Sequence, residues 1–348
     1  DNMSEYMNKN NLTTDKHRSS AAITLDNVAK IAGVSAITVS RAINTPDKVA
    51  PETLKKVREA IDKTGYVPNL LAGGLASRSS KLIAAIVPSI ANLVYSSTIR
   101  LFSKSLSKAG YQVILGDSGY PEVLEEELVR TILSRRPDGI FLTGVDHSPS
   151  CRNLLLSANI PIVETWDLTP SPLDIVVGFN HMDVGHAVAK FILSKKYNKV
   201  GFVTANDARA LLRQRSTLEI LSQRGVSDIY ATTVPAPTSL EYGRIGAKQI
   251  IEEGFDSGVI FCTSDTLAQG VLAEIQSRNI SIPETIAVIG FGDQVFAAHT
   301  YPALTTVRID RERIGQEAAD ALLARIQKRP VKNKIIDIGF SIIEREST

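Results

Sequence analysis

The sequence predicts a small all-α head over residues 23–68, a linker over 69–80, and a large α/β body of parallel, doubly wound sheets over 81–348. Three observations carry this. Between Thr24 and Gly65 the apolar residues recur at helical spacing in three short bursts. From Leu82 onward, continuous Val- and Ile-rich runs alternate with helix-length segments, the pattern of strands covered on both faces of a parallel sheet. Eight such runs exceed one comfortable sheet, so the body is expected in two lobes with a cleft at the C-terminal ends of the strands.

Residues 1–22 are polar, without hydrophobic period, and are expected to be disordered. In the first helix Leu25, Val28, Ala29 and Ala32 share a face, and Gly33 supplies the left-handed residue that ends it. Ser35 caps the second helix, whose Val39 and Ile43 face inward. Pro51 opens the third, where Leu54, Val57 and Ile61 line one face before Gly65; Ala50 is a weak cap there. The first lobe is expected to hold strands over 82–89, 111–118, 138–144 and 160–166, and the second over 199–206, 229–235, 258–264 and 286–292. The first lobe is expected over about 81–178 and 308–330, and the second over about 179–307 and 331–345.

An apolar content of 43% and a charged content of 22% over 348 residues belong to an ordinary globular protein with room for two or three cores. No apolar run reaches the roughly 18 residues of a membrane span. No export signal is legible, so a cytoplasmic protein without membrane contact is expected. Cys151 and Cys262 offer neither a disulfide framework nor zinc spacing, and read as free thiols in a reducing compartment. His17, His147, His181, His186 and His299 are scattered, so neither metal nor cofactor is expected. An enzyme is the main rival class, but the phosphate-loop, dinucleotide, zinc-protease and nucleophile-elbow motifs are all missing from the sequence. The net charge of +2 is unevenly spread: from Lys16 to Ser80 ten Lys and Arg face five Asp and Glu, against 28 and 29 from Lys81 onward. A basic head on a near-neutral body points to a polyanionic partner for the head.

The head's spacing says how it meets that partner. Ala29 is small where two helices approach, Gly33 permits the turn four residues on, and Val39 plugs the space between them six further. That is the helix-turn-helix pattern, whose second helix enters the major groove of DNA. Within "SAITVSRAIN" (35–44), Ile37 points about 160° away from Val39, beside Arg41 and Asn44. An apolar side chain facing a groove can meet a thymine methyl, as can Ala36, while Arg41 has the reach to bridge O6 and N7 of a guanine. Thr38, Ser40 and Asn44 suit phosphate or base-edge hydrogen bonds. The alternative is that Ile37 packs under the third helix or at a subunit contact.

The stretch from Thr24 to Ser80 resembles the DNA-binding head of the lactose/galactose repressor family, through V-A-x-x-A-G-V-S, T-V-S-R-x-[IV]-N, G-Y-x-P-N and L-A-S-R. The likeness continues to IIEREST at the chain's end. It implies a transcriptional regulator rather than an enzyme. Residues 36, 37 and 41 would be the specificity positions, with further DNA contacts from Leu25, Ser35, Thr38, Ser40, Asn44, Lys48, Tyr66, Asn69, Leu75, Ala76 and Arg78. Gly73 and Gly74 make the linker a marginal helix, each costing about 1 kcal/mol relative to Ala. In the resembled family this segment becomes helical only on DNA, where a leucine at the position of Leu75 wedges into the minor groove.

For the body, the resemblance implies a periplasmic-binding-protein-like core that closes on a small effector. Ser89, Asn92, Tyr95, Asp117, Trp166, Asn180, Arg213, Asp265 and Phe291 are the expected contacts. It also implies a homodimer on a pseudo-palindromic operator, and the end at Thr348 is expected to leave no tetramer-forming tail. One departure bears on the effector. Relatives that bind neutral sugars carry Tyr-Asp-Asp or Phe-Asp-Asp after the "VIG" strand, whereas Gly292 stands here in place of the first Asp. With Arg209, Arg213 and Arg215 nearby in "ARALLRQR", this favours a sugar acid, and "GFGDQVFAAHTYPALTTVRID" is similar to gluconate-responsive repressors. A neutral sugar or another metabolite acting as co-repressor is the alternative. A solute-binding protein and a constitutive DNA-bending protein are the remaining rivals.

Overall fold

The computed structural model describes residues 23–68 and 79–348. The expectations for 1–22 and for Asn69, Leu75, Ala76 and Arg78 lie outside the described residues. The chain divides into two compact units between Arg78 and Ser79.

The first unit is built on α1 (Leu25–Ala32), α2 (Ala36–Asn44) and α3 (Pro51–Thr64). Thr24 and Asn27 form a reciprocal cap at the start of α1. Gly33 ends it at φ +67°, its N–H donating to the Ala29 carbonyl. The Ser35 hydroxyl accepts from the Thr38 N–H at 3.2 Å. Ala50 makes no side-chain cap, and α3 starts on Pro51. Val28 and Val39 are fully buried, with Ala29, Ala32, Ala42, Val57 and Ala60 packed around them. Alanines at these contacts let three short helices approach closely enough to exclude water from the three valines.

The second unit holds two six-stranded sheets. In the first lobe β1 (Leu82–Val87), β2 (Gln112–Asp117), β3 (Gly139–Thr143), β4 (Ile162–Thr165) and β5 (Ile175–Gly178) alternate with α4 (Leu93–Lys108), α5 (Glu122–Ser134) and α6 (Pro149–Ser157). The second lobe has β6 (Lys199–Ala205), β7 (Asp228–Val234), β8 (Gly258–Cys262), β9 (Ile286–Gly292) and β10 (Thr305–Arg308), with α7 (His181–Ser194), α8 (Ala208–Gln223), α9 (Leu240–Glu252) and α10 (Asp265–Ser277). The chain then returns through α11 (Arg311–Ile326), packed on α4, and through β11 (Ile335–Asp337) and β12 (Ser341–Ile343). The sheet orders are β11-β5-β4-β3-β1-β2 and β12-β10-β9-β8-β6-β7, parallel except for the β10–β12 pair. Strands β1 and β9, inside their sheets, are apolar throughout because helices cover both faces.

The expected assignment of 331–345 to the second lobe is corrected. Strand β11 pairs in parallel with β5 of the first lobe, and only β12 belongs to the second. The run from Ile335 to Ile343 reads as continuous, but Gly339 at φ +66° breaks it, its N–H donating to the Asp337 carboxylate at 2.8 Å. Where the chain crosses between lobes, the Asp293 carboxylate accepts from Arg308 at 2.6 Å and Arg345 at 2.7 Å, and its carbonyl from Arg311 at 2.8 Å.

Val39→Ala should destabilise the head by about 2 kcal/mol, the lost methyl groups plus a cavity. Ile37→Ala, at a side chain 71% exposed, should change it by less than about 0.5 kcal/mol. Amide exchange at Val28 and Val57 checks both; equal acceleration by the two substitutions would contradict this packing.

Candidate ligand cleft and nucleic-acid interface

On α2 the outward face carries Ile37, Arg41 and Asn44, all exposed, at spacings of four and three residues. Nothing in the head covers Ile37, so it does not pack under α3. Ala36 is half-buried against the head core instead of standing clear beside it. The Thr38 hydroxyl is bonded to that of Ser35 at 2.8 Å, and Asn44 donates to the Ser40 carbonyl at 2.9 Å. Arg41 and Lys48 are exposed. Leu25 and Tyr66 are half-buried supports of the core. The face thus offers one aliphatic and one guanidinium side chain projecting freely, flanked by small polar groups.

A cavity of about 480 Å³, counting its open mouth, lies between the lobes of the body. Asn92 at the cap of α4, Tyr95, Tyr120 and Trp166 line it from the first lobe. His181, Asp207, Arg209, Arg213, Thr238, Thr263 and Phe291 are among the residues that line it from the second. Tyr95 meets Trp166 edge-on at 5.3 Å, and Phe179 meets His181 at 4.5 Å. Trp166 ends β4 with φ +66°, a conformation that costs a bulky residue on the order of 1–3 kcal/mol. That turn presents its carbonyl to His181 Nε2 at 2.8 Å.

Arg213 is the centre of the cleft. Its guanidinium stacks 3.8 Å from the Phe291 ring centroid and donates to His181 Nδ1 and the Thr263 carbonyl, at 2.8 and 2.9 Å. Its Nε and the Trp166 indole N–H are buried without hydrogen-bond partners. Burial pulls Arg213 down to about 10, which leaves it protonated at neutral pH. Arg209, one turn earlier, donates to the Tyr95 hydroxyl at 3.0 Å. Burial first, then both arginines, push His181 well below its usual range. It is therefore neutral, with the hydrogen-bond network assigning its proton to Nε2. Gly292, at φ +122°, stands where an Asp was expected in sugar-binding relatives, and an added Cβ would meet Val94 at 3.0 Å.

Of the expected effector contacts, the fold brings Asn92, Tyr95, Trp166, Arg213 and Phe291 to this cavity. The others are corrected. The Ser89 hydroxyl accepts from the Ala91 N–H, and Asp117 from those of Ile90 and Gly119, so both shape the loops after their strands. Asn180 caps α7. Asp265 is fully buried beneath the cleft, accepting from Thr306 at 2.5 Å and the Gln294 N–H at 2.7 Å, and desolvation lifts it to about 6. Arg215 is exposed, because only residues four apart on α8 share the face of Arg209 and Arg213. Tyr120, His181, Asp207 and Thr238 were not foreseen. Asp207 carries a sequence signal, since it caps α8 immediately after a strand.

Residues 24–69 match the family described as bacterial regulatory proteins, lacI family, and residues 189–348 match a periplasmic binding protein-like domain. The HTH-type transcriptional regulator GntR of Pseudomonas aeruginosa is 36% identical over 95% of this chain and 97% of its own. A crystal structure of a LacI family transcriptional regulator from Silicibacter pomeroyi has a TM-score of 0.88 at 30% identity, covering 93% of this chain and 99% of that one. The transcription regulator GntR from Chromobacterium violaceum has a TM-score of 0.73 at 33% identity, over 76% and 98% of the two chains. Among the described residues no helix is long and apolar enough to cross a membrane.

The neutral His181 sets a pH dependence. The unfolded chain takes up a proton near pH 6.5 that the folded cleft refuses, so stability is full above 6.5 and falls below it. The slope from this residue is about 1.4 kcal/mol per pH unit well below that point. Urea unfolding at pH 7.5 and 5.5 should show a larger loss in the wild type than in His181→Gln. Parallel losses would contradict the assignment of a neutral ring.

Proposed function

This chain belongs to the lacI family of bacterial regulatory proteins, and we propose that it is a cytoplasmic repressor of sugar-acid metabolism genes. In this reading a homodimer holds a pseudo-palindromic operator through its two heads, and a sugar acid such as gluconate, bound between the lobes, controls that grip. The observation that carries it is the pair of buried Arg213 and half-buried Arg209 lining the cleft, with a glycine after Phe291 where a sugar-binding carboxylate was expected. A carboxylate can accept from Arg213 Nε and from the free N–H groups of Arg209, in charge-assisted bonds stronger than neutral ones. Tyr95, Trp166 and Phe291 give apolar walls for the carbon chain. Asp207 and Asn92 are placed to meet its hydroxyls. Asp207 also favours the second reading, a neutral polyol or sugar, since a carboxylate accepts well from hydroxyls.

On DNA, α2 lies in the major groove with Ile37 against a thymine methyl and Arg41 on a guanine. Thr38, Ser40 and Asn44 bond phosphates or base edges, and Leu25, Ser35, Lys48 and Tyr66 are the further contacts around them. Effector binding shifts operator affinity by its differential affinity for the open and closed bodies. Moving from mostly bound to mostly free takes about 5.5 kcal/mol of that difference.

Fluorescence anisotropy with an operator duplex tests the reading. Arg41→Ala should cost about 1–3 kcal/mol at the operator and relax its base preference, with non-specific duplex little affected. An equal loss on both would reduce Arg41 to a phosphate contact. Gluconate or a related aldonate should change wild-type operator affinity where glucose does not; a response to glucose alone would favour the second reading.

A further inference from the structure

We infer that the first lobe holds a site for a thiophilic divalent transition-metal ion of the zinc class, with the Glu125 carboxylate, the His147 imidazole and the Cys151 thiolate as ligands. The three come from separate elements: the first turn of α5, the loop after β3, and the first turn of α6. One donor atom from each lies within 4.8 Å of the others. An ion bonding at about 2.0–2.3 Å to each closes that gap with small side-chain movements.

A fourth residue argues for a ligand rather than a chance grouping. Glu164 on β4 is fully buried, and its Oε2 accepts from the Leu173 N–H at 2.7 Å. Its Oε1 has no hydrogen-bond partner, and neither has His147 Nε2, although the two stand 3.4 Å apart and the His147 side chain is only 1% exposed. Unsatisfied buried polar atoms of this kind are costly. The other ring nitrogen, Nδ1, faces Glu125 at 2.9 Å. Ligation through Nδ1 would leave the Nε2 proton for Glu164 Oε1, the carboxylate–imidazole–metal arrangement that orients most ligating histidines.

Ligation by a divalent ion displaces the Nδ1 proton and the Cys151 thiol proton. Both protons pass to solvent, and nothing is oxidised. Magnesium and calcium, which prefer oxygen, do not drive a thiol to ionise, whereas zinc and cobalt do. Glu125 also lines a solvent-open cavity with Glu122, Thr143, Gly144 and Asp146, which gives the ion a way in and a water for the remaining position.

The test is cobalt(II) added to the chelator-treated full-length chain. One equivalent should produce a thiolate-to-cobalt charge-transfer band, and one equivalent of zinc should abolish it. Cys151→Ser should remove the band and Cys262→Ser retain it, these being the two cysteines of the sequence. Glu164→Gln should weaken zinc about 10–100-fold in competition with a chromophoric chelator. No band in the wild type, whose folding is not at issue, overturns the proposal and leaves His147 as an ion-paired brace. A band that survives Cys151→Ser overturns it equally.

Discussion

Two guanidinium groups lie one helical turn apart in the cleft between the lobes, and the rest of the site is arranged around their charge. Arg213 spends its donors on a neutral imidazole and a carbonyl instead of a carboxylate. Arg209 spends one on a phenol. Asp207 and Asp167 stand close enough to favour both cations, but neither is hydrogen-bonded to them, and the fold meets the remaining desolvation cost by several local devices. Trp166 takes a left-handed backbone and gives its carbonyl to His181, which frees Nδ1 to accept from Arg213. Phe291 offers its ring face to the same guanidinium. Glycine at 292 keeps a side chain away from this corner. In the proposed reading, the N–H groups of these arginines that have no carboxylate partner are what an incoming anion such as a sugar acid would meet.

The head works by a different economy of groups. Its core is three valines wedged by alanines, so three helices pack without drawing on the outer face of α2. Ile37 and Arg41 are consequently left to solvent, where an isoleucine is unfavourable unless a partner covers it. In the proposed reading a thymine methyl gives that exposure a use, and the basic balance of residues 16–80 would supply the general attraction to phosphate.

Much of this was legible in the residues. Val39 and Gly33 fix the helix-turn-helix because only a small set of residues allows that turn, and the structure places both as the spacing requires. The inner strands were readable because burial on both faces leaves little polar alternation, and the edge strands β2 and β7, although largely exposed, keep enough apolar residues to be read as strands. The ligand site was less so. Ser89, Asp117, Asn180 and Asp265 are polar residues at strand ends, the right type in the right place, yet each satisfies its own backbone or a neighbouring loop. A cap and a ligand contact look alike in one dimension. Tyr120 and Thr238 reach the cavity from loops whose course depends on how the lobes face each other, and no local pattern encodes that. His147 looked isolated among scattered histidines because Glu125 lies 22 residues away and approaches it only through the packing of α5 and α6.

The central claim is that the paired charge of Arg209 and Arg213 in the cleft selects an anion, and isothermal titration of the wild-type chain with gluconate and with glucose at one pH and salt concentration tests it most directly. The account predicts saturable heat with gluconate at one site per chain and none with glucose. Saturable binding of glucose with gluconate silent would contradict it.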